Sequence, residues 1–266
     1  MSFDKLQDKI RTMKNPTVAG LDARVSHVPP HLLKAAVEQY GETRRAAAEA
    51  IWTFNRGLMD ALCDVVPAVK PQRAYYEALG WEGMEVLERT IRYAKEKGFF
   101  VIADIKRGDI GTTAAAYAEA WLGETSVGET KVRAFDVDCV TVNGYMGSDA
   151  VQPFLDLCKA EDKCLFVLVK TSNPSSGELQ DREIDGEAVY SIMAGMCEAW
   201  GAESMGQYGY SAVGAVVGAT YPAQLAELRK KAPHTFFLVP GYGAQGGTAA
   251  DVAGAFDEKG LGAIVN

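Results

Sequence analysis

The 266-residue sequence contains no run of about twenty consecutive apolar residues, which is the length that a membrane-spanning helix requires. Its first residues, M-S-F-D-K-L-Q-D-K-I, lack the apolar core of a signal peptide. The five cysteines are scattered and include no C-x-x-C pair, a pattern typical of a protein that is kept reduced. We therefore expect a cytoplasmic protein that has no membrane partner.

Basic residues are also outnumbered by acidic ones: the sequence has 27 Lys and Arg against 35 Asp and Glu, which gives a net charge of −8. This surplus of negative charge disfavours nucleic acid as a partner, and local cations would have to attract an anionic substrate. His27 and His31 are four residues apart, but Pro29 and Pro30 lie between them and break the helix that would pair them. We expect no metal site there.

Short apolar runs do alternate with amphipathic stretches along the whole chain. Phe3, Leu6, Ile10 and Met13 recur at helical spacing and predict a helix before the first strand. Eight runs are predicted as strands: Thr17–Asp22, Val65–Lys70, the stretch from Phe99 into Asp104, Val137–Asn143, Cys164–Thr171, Val213–Thr220, Thr235–Pro240 and Leu261–Val265. This count and length predict an α/β protein with a single domain over residues 1–266, a (β/α)8 TIM barrel that ends at its eighth strand.

The third of these strands ends in a row of charges, Asp104, Lys106 and Asp109. Burial of an unpaired charge costs several kcal/mol, so the row is either an ion-pair strut or a catalytic site. Asp104 and Lys106 are two residues apart, so a regular strand would present both side chains on one face. Gly108 would then permit a sharp turn that carries Asp109 away. A lysine between carboxylates stays charged, which suits a proton donor rather than a Schiff-base nucleophile.

Polar residues also stand at the ends of other predicted strands, where (β/α)8 barrels carry their active sites. They include Asp22, Lys70, Asn143 and Ser172. Each has a structural explanation when taken singly, as a helix cap or a turn residue, but their convergence on one mouth favours a site. The run Gly241–Gly247 precedes a helix start, which Thr248 would cap and Gly260 would end. Its backbone N–H groups could cradle a phosphate.

Two motifs carry a resemblance to a known family. The D-x-K-x-x-D motif from Asp104 to Asp109 and the P-G-x-G-A-Q-G-G motif from Pro240 resemble the orotidine 5′-phosphate decarboxylase family. The R-G-D-I-G-T-T continuation and the stretch Val169–Pro174 look like its longer bacterial members. The resemblance runs from about Val18 to the end of the sequence. The D-x-K-x-x-D motif alone is shared with sugar-phosphate enzymes of the same superfamily.

The resemblance implies a decarboxylation of orotidine 5′-phosphate to uridine 5′-phosphate, the last step of de novo pyrimidine nucleotide synthesis, with neither cofactor nor metal. It implies an alternating network of Lys70, Asp104, Lys106 and Asp109. Lys106 would deliver a proton to C6 of the pyrimidine as carbon dioxide leaves, and Asp104 would face the substrate carboxylate and orient Lys106. Asp109 and Thr113 would come from a neighbouring subunit, so the active unit would be a homodimer with shared active sites.

The resemblance also assigns contacts with the nucleotide substrate. Lys70 and Asp22 would bind ribose hydroxyls, and Ser172 would contact the pyrimidine. Gln245, with Gly246 beside it, would close over the base and the phosphate. The family also has a phosphate-binding arginine shortly after the eighth strand. Because this sequence stops at Asn266, before that position, we expect the natural chain to continue.

The sequence leaves two alternatives open. One is a related sugar-phosphate decarboxylase or aldolase, some of which would need magnesium at the carboxylates. The other is a barrel that binds a phosphate ligand without turning it over. Sensitivity of the activity to a chelator separates the first alternative from the pyrimidine reaction. The second alternative gains weight only if the natural chain ends at Asn266, which its intact mass would decide.

Overall fold

The eight predicted strands form one parallel sheet in the order of the chain. The structure is a computed structural model and describes residues 2–243 and 246–266. The strands are β1 (Val18–Leu21), β2 (Ala68–Pro71), β3 (Phe100–Arg107), β4 (Cys139–Val142), β5 (Cys164–Lys170), β6 (Val213–Val217), β7 (Phe236–Val239) and β8 (Ala263–Val265). Each strand pairs with the next along the chain, which confirms the (β/α)8 barrel. Most observed strands are shorter than the predicted runs.

The barrel closes where β8 meets β1, a junction that we call the seam. Thr17 forms a parallel bridge with Val265, and the Val265 N–H donates to the Pro16 carbonyl at 2.8 Å. The Asn266 side-chain amide adds a hydrogen bond of 3.1 Å to the Val18 carbonyl. The seam therefore has fewer paired backbone residues than the other strand junctions, and the hydrogen bond of the Asn266 side chain strengthens it.

Helices cover the outside of the barrel, as expected for strands buried on both faces. The helices are α1 (Ser2–Met13), α2 (Pro30–Tyr40), α3 (Arg44–Leu62), α4 (Arg73–Glu77), α5 (Gly80–Glu96), α6 (Gly111–Leu122), α7 (Ser148–Glu161), α8 (Val189–Gly201), α9 (Pro222–Lys231) and α10 (Ala249–Val252). Thr248 caps α10 as predicted, in a capping box with Asp251. The prediction that this helix continues to Gly260 is wrong, because a 3-10 turn, Ala253–Ala255, follows α10 directly.

The predicted N-terminal helix closes the end of the barrel where the strands begin. Phe3 of α1 stacks on Phe236 with ring centroids 4.8 Å apart and tilts against Phe166 at 4.9 Å. Gly214 on β6 makes room for this packing, since a Cβ there would lie 2.5 Å from the ring of Phe166. This end of the barrel is therefore filled by aromatic side chains, and open space remains at the other end.

Peripheral segments extend from this framework. A two-stranded hairpin, Thr125–Val127 with Thr130–Val132, follows α6 and is exposed. A second small hairpin, Glu183–Ile184 with Glu187–Ala188, precedes α8. In the described part of the chain, no helix is both long and apolar enough to cross a membrane.

Candidate active site

A cavity of about 410 Å³ lies at the C-terminal ends of the barrel strands, within the range of small-molecule sites. Five side chains predicted from the sequence line it: Asp22, Lys70, Asp104, Lys106 and Ser172. They come from the ends of four different strands. The structure therefore brings together residues that are 150 positions apart in the chain, as the barrel topology predicts.

Asp104 is the centre of the charged cluster in this cavity, and only 8% of its side chain is exposed. Its Oδ1 accepts hydrogen bonds from Lys106 Nζ at 2.5 Å and Thr141 Oγ1 at 2.8 Å. Its Oδ2 accepts from Lys70 Nζ at 3.3 Å and Gln72 Nε2 at 2.9 Å. Burial alone would raise the pKa of Asp104, but the two ammonium groups outweigh it and hold the pKa below its ordinary value. Asp104 is thus a fixed carboxylate.

The two lysines that bind Asp104 differ in their access to the cavity. The side chain of Lys70 is 7% exposed, whereas that of Lys106 is 44% exposed. Both lysines line the cavity, but Lys70 is the more deeply buried, and Lys106 presents its ammonium group to any molecule in the cavity. Of the two, Lys106 is the better placed to give a proton to a ligand.

The end of β3 departs from the regular strand that the sequence predicts. Its pairing with β4 shifts after Ala103, and the N–H groups of Ile105 and Lys106 instead donate to Thr141 Oγ1, each at 3.0 Å. Lys106 has a φ of +48°, a left-handed conformation that is uncommon for residues other than glycine. Asp104 and Lys106 both lie in β3 and their side chains meet, as predicted, but they do so at a strand end whose pairing is irregular.

Gly108 is required by the close approach of two loops. A Cβ at this position would lie 2.9 Å from the carbonyl oxygen of Asn143, which is closer than a side chain permits. The amide oxygen of Asn143 accepts the Tyr145 N–H at 3.0 Å. Asn143 thus serves its own loop and does not line the cavity within the described residues.

Two predicted site residues on the segment after β3 lie outside this cavity. Asp109 is half-buried, and its Oδ1 accepts the N–H of Ile110 at 2.8 Å. Thr113 is exposed in the first turn of α6. Neither residue lines the cavity in the described part of the chain. The side chain of Ile110 between them is 60% exposed, so this segment presents an apolar residue to solvent.

The glycine-rich loop after β7 adopts conformations that favour glycine. Gly241, Gly243 and Gly246 have φ values of +101°, +72° and +92°, which other residues rarely adopt. The Gly246 N–H donates to the Gly243 carbonyl at 2.8 Å, and Gly246 is not among the described residues that line the cavity. Gln245 lies outside the described residues.

A buried lysine that the sequence analysis did not single out anchors the segment after β5. Lys170 is fully buried, and its Nζ binds Asp181 Oδ1 at 2.6 Å and Ser176 Oγ at 3.2 Å. The same ammonium lies 4.3 Å from the ring centroid of Tyr221. Because Ser172 is two residues further along, these contacts hold the segment that brings Ser172 to the cavity.

Gln72 and Thr141 are further cavity residues that the sequence analysis missed. Gln72 is two positions after Lys70 at the end of β2, so the spacing that applies to strands is the signal that could have found it. Thr141 is the polar residue within the buried run C-V-T-V, where a hydroxyl requires a partner.

The charges around Asp104 also bear on metal binding. Within the described residues, no group of three or more His, Cys, Asp or Glu is arranged to hold a metal ion. Asp104 has ammonium groups on both oxygens, and these repel a cation. The cluster is therefore better suited to an anionic ligand than to magnesium.

Comparison with known proteins agrees with this geometry. The profile of the orotidine 5′-phosphate decarboxylase / HUMPS family matches residues 55–263. The chain is 45% identical to an orotidine 5′-phosphate decarboxylase of Rhodopirellula baltica over 251 residues, which cover 94% of this chain and 81% of that protein. It is 38% identical to the enzyme of Caldicellulosiruptor saccharolyticus, over 99% of this chain and 86% of that protein. The structure of Leishmania donovani OMP decarboxylase has a TM-score of 0.75 at 31% identity, covering 100% of this chain and 88% of that chain.

Proposed function

This chain belongs to the orotidine 5′-phosphate decarboxylase / HUMPS family, and we propose that it converts orotidine 5′-phosphate to uridine 5′-phosphate in the cytoplasm. The proposed reaction uses neither cofactor nor metal and completes pyrimidine nucleotide synthesis. The observation that carries the proposal is the buried Asp104 between two lysines, one of which reaches into the cavity.

The reaction leaves the electron pair of the broken carbon–carbon bond on C6 of the pyrimidine ring. That carbon is sp² hybridised and delocalises the charge little, so the site must stabilise a developing carbanion. A fixed ammonium beside C6 gains strength as the negative charge forms. In our proposal Lys106 supplies this charge, protonates C6 as carbon dioxide departs and recovers its proton from solvent. Asp104 holds Lys106 and faces the substrate carboxylate.

The remaining lining residues are assigned to the nucleotide. Lys70 and Asp22 bind ribose hydroxyls, and Ser172 contacts the pyrimidine. These assignments are supported by the position of all three in the same cavity. Gln245 and Gly246 belong to the loop that closes over the base and the phosphate. Contacts with the phosphate, far from C6, can drive such closure and organise the charged cluster.

Asp109 and Thr113 act in the active site of a second subunit in this proposal, so the enzyme is a homodimer with shared sites. Their absence from the lining of the cavity in their own chain supports this assignment. The exposed Ile110 between them supports it too, because an interface would bury that side chain.

The shared site predicts complementation between two inactive variants. Mixing Lys106→Ala with Asp109→Ala subunits should produce heterodimers with one intact site each, because the intact Lys106 and the intact Asp109 then meet in the same site. Activity is measured after subunit exchange, and each variant alone is the control. A mixture that stays as inactive as its components after proven exchange contradicts the shared site.

A spectroscopic assay of orotidine 5′-phosphate consumption tests the reaction itself. We expect turnover that is unchanged by EDTA. Loss of turnover with EDTA would favour a magnesium-dependent sugar-phosphate decarboxylase or aldolase. Binding of the nucleotide without any turnover would favour a barrel that only binds phosphate ligands.

A further inference from the structure

The hydroxyl of Thr141 uses its full hydrogen-bonding capacity at the base of the cavity. Thr141 is 1% exposed. Its Oγ1 donates to Asp104 Oδ1 at 2.8 Å and accepts the N–H groups of Ile105 and Lys106, each at 3.0 Å. A hydroxyl has one donor and two acceptor positions, so this one atom joins three groups of β3 to the middle of β4.

These contacts occur where the backbone ladder between β3 and β4 is interrupted. The register of the two strands shifts between Ala103 and Arg107, so the Ile105 and Lys106 N–H groups have the Thr141 hydroxyl in place of a strand partner. Without that hydroxyl, the buried N–H of Ile105 and the partly buried N–H of Lys106 would lose their acceptor.

The same hydroxyl holds Lys106 from both of its ends. At the backbone end, it accepts the N–H of a residue with a φ of +48°, a conformation that persists only when the surroundings fix it. At the side-chain end, it donates to Asp104 Oδ1, the atom that Lys106 Nζ contacts at 2.5 Å. Thr141 therefore fixes the position of Lys106 Nζ in the cavity in two ways, through the backbone of Lys106 and through the carboxylate that Nζ binds.

We infer that Thr141 is a positioning residue, whose hydroxyl sets the place of the Lys106 ammonium group in the cavity. This inference rests on the proposed function for its catalytic consequence, but the geometric effect stands apart from it. Although Thr141 borders the cavity, its hydroxyl has no hydrogen-bonding position left for a ligand. We therefore expect the hydroxyl to act through Lys106 and Asp104, on the rate of the chemical step rather than on the binding of the nucleotide.

Two substitutions of Thr141 distinguish the effect of its hydroxyl from the effect of its side-chain shape. Thr141→Val keeps the branched shape and removes the hydroxyl, whereas Thr141→Ser keeps the hydroxyl and removes a methyl group. Thr235→Val is the matched control, since Thr235 is also fully buried and its hydroxyl donates to Glu198 at 2.8 Å, away from the cavity.

We expect kcat of Thr141→Val to fall by about 100-fold, the loss that a displacement of about 1 Å can cause, with little change in KM. Thr141→Ser should retain most of kcat, and Thr235→Val should match the wild type. If Thr141→Val does not fold, Thr141→Cys serves instead, because a thiol is only a weak donor and acceptor. A kcat equal to the wild type in Thr141→Val, or equal losses in the Val and Ser variants, would overturn the inference.

Amide hydrogen exchange gives a readout that does not need the reaction. The amides of Ile105 and Lys106 should exchange faster in Thr141→Val than in Thr141→Ser, while those of β7 stay unchanged. Unchanged exchange at both amides would overturn the inference. If the wild-type chain does not consume orotidine 5′-phosphate, the proposed function fails, and the exchange measurement still decides whether Thr141 holds Lys106.

Discussion

Within the described residues, an aspartate held between two lysines occurs at two places in this barrel, at opposite ends of its strands. Asp104 lies at the C-terminal end of β3, and Asp136 lies just before β4 begins. Each cluster contains a non-glycine residue with positive φ, Lys106 at +48° in the first and Asp136 itself at +47° in the second. From composition alone the two clusters would be difficult to tell apart.

The Asp136 cluster connects protein groups to one another. Lys95 and Lys163 bind the carboxylate of Asp136 at 2.5 and 2.9 Å, and Arg133 binds it at 3.2 Å. Burial would raise the pKa of Asp136, but the hydrogen bonds from the two lysines outweigh it and lower the pKa to about 2. Arg133 also binds Glu124 and Glu161. The cluster thus ties the base of the exposed hairpin after α6 to the barrel.

The two clusters differ in what lies beside them. Asp104 borders the cavity, and one of its lysines is 44% exposed there, whereas the Asp136 cluster is built into the junction of hairpin and helices. The sequence left open whether charges at a strand end are a strut or a catalytic site. The contacts of the Asp136 cluster make it a strut, and under the proposed function the Asp104 cluster is the catalytic one, because it lies at the end of the sheet where barrels of this kind carry their active sites.

The largest expected difference between the two clusters appears when one lysine is removed from each. Lys106→Ala should lower kcat by about 10³-fold, a loss typical of a missing general acid. Lys163→Ala should leave kcat unchanged and lower only the stability. Steady-state kinetics with purified variants measures the first effect, and thermal unfolding measures the second. Near-wild-type turnover in Lys106→Ala would mean that the Asp104 cluster is also a strut.

A smaller effect is expected when the aspartates are neutralised. Asp104→Asn should lower the free energy of unfolding by about 3 kcal/mol, because it leaves the buried Lys70 without its counter-charge. Asp136→Asn should lower it by only about 1 kcal/mol, because that cluster is more exposed and solvent screens it. Urea unfolding of both variants against the wild type checks the order. The reverse order would contradict the difference in burial between the clusters.

The smallest expected effect is the acid dependence that Asp136 contributes. Its carboxyl has a pKa of about 2 in the folded chain against an ordinary 3.8. A carboxyl group whose pKa is lowered by folding stabilises the folded chain at any pH above its ordinary pKa. That stabilisation is lost as the pH falls from about 4 towards about 2. We expect the wild type to lose about 1 kcal/mol more than Asp136→Asn over this interval, after allowance for solvent screening. If the wild type and Asp136→Asn lose the same stability over this pH interval, Asp136 does not contribute to the acid dependence.

The sequence predicted those features that depend on local pattern. Apolar runs located the eight strands, and barrel topology then placed Asp22, Lys70 and Ser172 at one mouth. It did not predict the left-handed Lys106 or the role of Thr141 as an acceptor, because both depend on a break in the pairing of β3 with β4. Lys170 was missed for a related reason, since its partners Asp181 and Tyr221 come from segments that only the folded chain brings together.

We expect the seam to be the last strand junction that forms when the chain folds. Every other strand junction joins neighbours along the chain, but the bridge between Thr17 and Val265 closes a loop of almost the entire sequence and therefore costs the most chain entropy. Asp22 follows β1 and Asn266 follows β8, the two strands that this bridge joins, and both residues line the cavity. The cavity is thus completed only when the first and last strands meet, so activity should return after most of the helix and strand content during refolding.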